Sequence, residues 1–155
     1  MKTTSSLKLV ILALFLSFGF QSFSQSPHSE VTLSAGINQL GLDYAFLFGE
    51  TRRHIVELGL RSGDGNQDPG LFAPVGQYEG PEVLYHYVLN SDEKLNFSAG
   101  LGVLFTGDNE GGYISIPLTF RYKIEEHFRL RARLTSLHDG IDVKVLPSIG
   151  FGVAF

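Results

Sequence analysis

Ser136, His138 and Asp142 lie within seven residues of one another near the C-terminal end of a 155-residue chain. A serine hydroxyl is a weak nucleophile until a base takes its proton, and the base works best when a carboxylate orients it. Ser136 and His138 are two residues apart in an alternating segment, Arg131–His138 (RARLTSLH), so a strand presents both on one face. His138 is the candidate base, with Asp142 or Asp139 to orient it. The chemistry such a set would serve is nucleophilic attack by an activated hydroxyl.

A second set of charged residues points to structure rather than catalysis. Acids dominate the first half of the alternating region, at Asp43, Glu57 and Glu82, and bases dominate the second, at Arg121, Arg129, Arg131 and Arg133. All share strand parity with small residues such as Ser34, Gly41, Ala45, Gly59, Ser98, Gly100, Gly102, Gly150 and Gly152. Arg61, His86, Lys123 and Lys144 fall on the same face. The reading is a lumen network, with the Arg129/Arg131/Arg133 ladder facing Asp43, Glu57 and Glu82 across a barrel interior. A satisfied polar core is favoured over an ion pathway, because opposite charges out of water stay ionised only when paired.

The elements that position these residues are strands. Period-2 alternation predicts eight of them, near 30–37, 39–48, 53–61, 80–90, 94–106, 112–124, 127–137 and 142–155. Many reach the roughly 9–11 residues that a tilted membrane strand requires. Every second connection is short and charged: Gly49–Arg52, Asn90–Glu93 and Glu125–Glu126. The intervening ones are Asn38, the long stretch Ser62–Glu79, Gly107–Gly111 and His138–Ile141. Short turns on one side and a longer loop on the other are the habit of transmembrane barrels. Phe46, Phe48, Tyr87, Phe97, Phe120, Tyr122, Phe128 and Phe155 occupy the apolar face at the short-turn end, as an interfacial girdle would. The competing fold is a soluble lipocalin-like barrel with the two faces exchanged, but the chain has no Trp for that fold's first-strand signature.

The N-terminus reads as a signal peptide over 1–24, ahead of a barrel domain over 25–155. Lys2 and Lys8 precede the apolar run Leu9–Phe20, and Ser22 and Ser24 are small residues placed for cleavage before Gln25. The run falls short of the about 20 residues of a spanning helix. A net charge of −4 and the lack of any basic run give no reason to expect nucleic acid. Absence of cysteine excludes disulfides, thiolate metal sites and an acylated N-terminal cysteine. His28, His54, His86 and His127 do not cluster, so neither a metal nor a cofactor is expected. Asp64, Asn66 and Asp68 alternate as calcium ligands do, but Val75 stands where the distal Glu belongs, and a solvated loop is the preferred reading.

The final strand, Val143–Phe155 (VKVLPSIGFGVAF), resembles the closing strand of a bacterial outer-membrane β-barrel. In size and strand number the chain resembles the small eight-stranded outer-membrane barrels of the OmpA and OmpX kind. The resemblance implies an outer-membrane location, Phe155 as part of the insertion signal, and membrane lipid and the barrel-insertion machinery as partners. A local resemblance joins it: RARLTSLHDGID (131–142) is similar to the active-site segment of PagL-type lipid A deacylases. Ser136 matches their nucleophile, Gly140–Ile141 their Gly-Ile pair and Asp142 their acid. Leu134 stands in place of their histidine and Leu137 in place of their asparagine, which leaves His138 as the candidate base. Sequence therefore supports an all-β, eight-stranded transmembrane barrel with a structural or surface-interaction role and an extracellular ligand it does not identify. Its alternative is a lipid A acyl-ester hydrolase acting through Ser136. A narrow pore is disfavoured by the crowded interior.

Overall fold

The computed structural model describes residues 28–36, 39–49, 51–63, 79–92, 94–106, 112–138, 140 and 143–155. Among these, every regular element is a strand: β1 (Ser29–Gly36), β2 (Gln39–Phe48), β3 (His54–Gly63), β4 (Gly80–Ser91), β5 (Leu95–Phe105), β6 (Gly112–Lys123), β7 (Phe128–His138) and β8 (Val143–Ala154). Each pairs antiparallel with its sequence neighbours, and β1 pairs with β8, so the sheet closes on itself. Closure leaves no open sheet edge, which is the condition for crossing hydrocarbon with strands. The proposed signal segment 1–24 and most of the long connection, including Asp64, Asn66, Asp68 and Val75, lie outside the described residues.

Alternation decides the two faces. In β6 exposed and buried residues alternate strictly from Gly112 to Arg121. Leu58, Tyr85, Leu101, Leu118, Leu130 and Phe151 point outward, while Asp43, Glu57, Glu82, His86, Arg121, Arg131 and Arg133 point inward. The charged face is therefore the inside, the reverse of the lipocalin arrangement. At the short-turn end the outward aromatics meet one another. Phe97 and Phe120 rings are 4.6 Å apart, Phe128 and Phe151 5.5 Å, and Phe46 and Phe48 6.4 Å.

Local irregularities have chemical causes. Between Ala99↔Leu118 and Gly102↔Ser115 the β5–β6 ladder is interrupted, and Pro117, which has no N–H to donate, sits in the gap. Between β4 and β5 the register shifts from Val88↔Ser98 to Asn90↔Phe97, a bulge at Leu89. The β2–β3 turn uses two left-handed residues, Gly49 (φ 86) and Arg52 (φ 51), with the Arg52 amide donating to the Gly49 carbonyl at 3.0 Å.

The interior is layered. Leu104, Tyr113, Leu137 and Leu146 form an apolar cluster toward the long-connection end. Ala45, Ile55 and Val88 form another toward the short-turn end, with Leu47 packed against it. Beyond the small residues expected around the charges, bulky apolar side chains share the inward parity and pack on both sides of a charged middle. Burying them inside dry interior layers costs nothing in unpaired polar groups, whereas the charges need partners.

Candidate functional site

Four carboxylates and four guanidiniums fill the middle of the barrel: Glu30, Asp43, Glu57 and Glu82 against Arg61, Arg121, Arg131 and Arg133. They come from β1, β2, β3, β4, β6 and β7, so the network ties opposite walls together. Asp43 pairs with Arg131 and holds Arg61 Nη1 at 2.6 Å. Glu57 pairs with Arg133 and lies 3.2 Å from both Arg121 Nη2 and Arg131 Nη1. Glu82 accepts from Arg61 Nη2 and from Ser115 Oγ, each at 2.6 Å. Arg121 also donates to Ser98 Oγ at 3.1 Å, and Glu30 lies 3.8 Å from its Nε while accepting from Thr32 Oγ1 at 2.7 Å. Equal numbers of the two charges offset the cost of such burial: Asp43, Glu57 and Glu82 each face a guanidinium at short range, and Glu30 has one at 3.8 Å.

Glycines make the room. A Cβ at Gly59 would come within 2.7 Å of Asp43 Oδ1, and one at Gly41 would strike the Arg61 guanidinium. One cavity between the charged layer and its apolar cap has a volume of about 10 Å³ and is bounded by residues including Arg61, Glu82, Arg133, Leu104 and Leu146. That is about one water's worth. An eight-stranded barrel is just wide enough for its side chains to fill it.

One member of the expected ladder sits elsewhere. Arg129 Nη1 donates to the backbone carbonyls of Glu125, Glu126 and Phe128 at 2.7, 2.9 and 3.1 Å. It reaches neither Asp43, Glu57 nor Glu82, because it lies at the first turn of β7 beside water, where local carbonyls satisfy it without crossing the lumen. Glu30 belongs to the network instead, although the pairing of acids with bases above left it out. Its signal was its parity with Thr32, Ser34 and Gly36 in β1.

The other candidate site is on the outside. Ser136 and His138 share the outward face of β7 near the long-connection end, and Ser136 Oγ lies 3.0 Å from His138 Nε2, in hydrogen-bond contact. Ser136 is flanked across the ladder by Ile116 of β6 and Val145 of β8. Its surroundings are thus apolar on both sides. Asp142 and Asp139 lie outside the described residues. Phe155 closes the sheet: its amide and carbonyl exchange hydrogen bonds with Ser29 at 2.9 and 3.0 Å, and its ring lies 6.5 Å from that of Tyr44.

An eight-stranded closed antiparallel barrel with an apolar coat and a charged core is the fold of the small outer-membrane β-barrels, and comparison of structures finds the same fold. The N-terminal β-barrel domain of Pseudomonas aeruginosa OprF superposes with a TM-score of 0.58 at 12% identity, covering 84% of this chain and all of the other. The Yersinia pestis outer membrane protein Ail, determined in a phospholipid bilayer nanodisc, gives 0.54 at 12% identity over 83% of this chain and 99% of Ail. The de novo designed TMB2.3 gives 0.56 at 12% identity over 86% and 98%. At that identity the likeness is one of fold. No protein-family profile and no curated protein matches the chain.

Proposed function

We propose that this chain is a small outer-membrane protein whose barrel serves a structural or surface-interaction role, with the connection between β3 and β4 as its contact surface. One observation carries the reading: large apolar side chains coat the outside while matched charges fill the inside. In water that distribution exposes an apolar surface far beyond the few hundred Å² that a monomer tolerates. In a bilayer each face meets the medium it suits. Outer-membrane lipid and the barrel-insertion machinery are the partners this reading implies, with Phe155 contributing to the insertion signal. A filled, charge-paired lumen suits a wall rather than a channel.

Three measurements test it together. Extracted without boiling, the protein should migrate faster on a denaturing gel than after boiling, and it should resist carbonate extraction. In planar bilayers it should show no stable conductance. Recovery as a soluble periplasmic protein would end the membrane reading, and reproducible single-channel steps would end the closed-wall reading.

The 3.0 Å contact between Ser136 and His138 favours a second reading, an acyl-ester hydrolase acting on lipid A. In it His138 accepts the Ser136 proton as the hydroxyl attacks an ester carbonyl and returns it to the departing alkoxide as the ester C–O bond breaks; water then releases the acyl group from Ser136 as a fatty acid. Mass spectrometry of lipid A from expressing cells should then show loss of one acyl chain, abolished by Ser136→Ala. An unchanged lipid A profile with the wild-type protein in the outer membrane would remove this reading.

A further inference from the structure

We infer that the outward wall of β7 and β8 holds a seat for one acyl chain of a membrane lipid, with Ser136 and His138 at its polar end. The wall carries a concavity of about 450 Å³ whose apolar lining comes from Ala35, Phe120, Ala132, Leu134, Pro147 and Ile149. The volume falls in the ~300–1,000 Å³ range of small-molecule sites. The ladders explain its shape. Phe120↔Ala132, Ala132↔Ile149 and Ile149↔Ala35 are successive cross-strand partners, so one row of outward side chains crosses four strands with alanine at two of its positions. Beside that row, compact Pro147 faces Leu134.

Among the described residues the last β1–β8 pair is Gly36↔Ser148. Ser29 and Phe155 exchange both backbone bonds, so the odd-numbered residues of β8 turn their backbones toward β1. Pro147 is the next of these, and a proline has no N–H to continue a ladder. Pro147 therefore leaves one ladder position beside the concavity without a donor.

Position identifies the occupant. This proposal rests on the membrane-spanning reading, under which the row lies at bilayer depth. A void there forfeits dispersion contacts on one side, and water there lacks polar partners. Hydrocarbon is the filling that incurs neither cost. Ser136 follows Leu134 on the same face, two residues or roughly 7 Å toward the long-connection end. A chain lying in the concavity therefore brings its ester region alongside the Ser136–His138 pair, which offers a hydrogen bond to the ester carbonyl. That second point of attachment distinguishes a seated lipid from the mobile lipid around the rest of the wall.

Native mass spectrometry tests this on the full-length mature barrel inserted in dimyristoylphosphatidylethanolamine vesicles and then released into detergent. The wild type should retain one phospholipid. Ala132→Phe, which fills the concavity, should lower that retention roughly tenfold, equivalent to about 1.4 kcal/mol. Ala35→Leu, filling the other end of the row, should lower it too and serves if the Phe variant fails to insert. Leu101→Phe on β5 should leave it unchanged. Equal retention in the filled and unfilled proteins, or an equal loss in Leu101→Phe, would overturn the seat. Gel mobility of the unboiled protein separates the two levels: a wild type that inserts but retains no lipid sinks the seat alone, and one that does not insert sinks the membrane reading with it.

Discussion

Glu57→Leu is expected to destabilise the barrel by about 3–5 kcal/mol, the usual cost of removing one partner from a buried ion pair. Glu57 is fully buried and lies within 4.0 Å of four arginines, Arg61, Arg121, Arg131 and Arg133. Without it Arg121 keeps its hydrogen bond to Ser98 Oγ and, among the described carboxylates, the more distant Glu30 at 3.8 Å, while Arg133 keeps Asp43 and Glu82 at 3.8 and 3.7 Å. The loss comes from the stranded guanidiniums more than from the missing carboxylate. That distinction yields a sharper test. Glu57→Leu combined with Arg133→Met again equalises the buried charges, and it should recover most of the lost stability despite removing more contacts. Urea unfolding of the inserted barrel, followed by the mobility of the unboiled protein, measures both. A single variant within about 1 kcal/mol of wild type would mean that the arginines are hydrated inside the lumen. A double variant worse than the single would mean that packing, not charge balance, holds the layer.

Alternation alone makes the eight strands legible, because a period of two is a property of each segment and needs no partner. It is symmetric, however, and does not say which face is inside. The lipocalin arrangement and the membrane arrangement write the same pattern, and only closure of the barrel, with Glu57 and Arg131 in its core and Leu101 on its surface, separates them. Pairing is still less visible. Parity puts Asp43 and Arg131 on one face, but their contact joins residues 88 apart in sequence and depends on the register of every intervening hairpin. Arg129 shares that parity, yet its height in the barrel gives it the carbonyls of the adjoining turn. The apolar layers around Leu104 and Ile55 were hidden for a related reason. Leucines and isoleucines on the charged face look like breaks in a pattern until their depth shows them to be its lids. The Ser136–His138 contact is local and can be anticipated from i, i+2 spacing, whereas the concavity beside it depends on four strands in register.

Leu101→Arg should separate the two media that could surround this wall. Leu101 lies near the middle of β5 and is 59% exposed. In water the substitution would fall within about ±0.5 kcal/mol, since it removes no buried contact. In a bilayer an arginine on the lipid face of a barrel costs about 2–4 kcal/mol at the midplane and about 0–1 kcal/mol near the interfaces. Leu95→Arg, at the short-turn end of the same strand, should therefore cost much less than Leu101→Arg, and the difference between the two reports depth directly. The comparison uses one strand and one introduced side chain, so β-propensity nearly cancels. Arg131 already shows what an arginine needs in this protein: it is 1% exposed and paired with Asp43 and Glu57. An arginine at 101 would have the opposite wall of the sheet and no carboxylate. Equal, small costs at 95 and 101, measured by urea unfolding from vesicles, would mean that hydrocarbon does not surround β5. A steep difference would mean that the charges of this barrel are stable only on its inner side, because partners wait for them there.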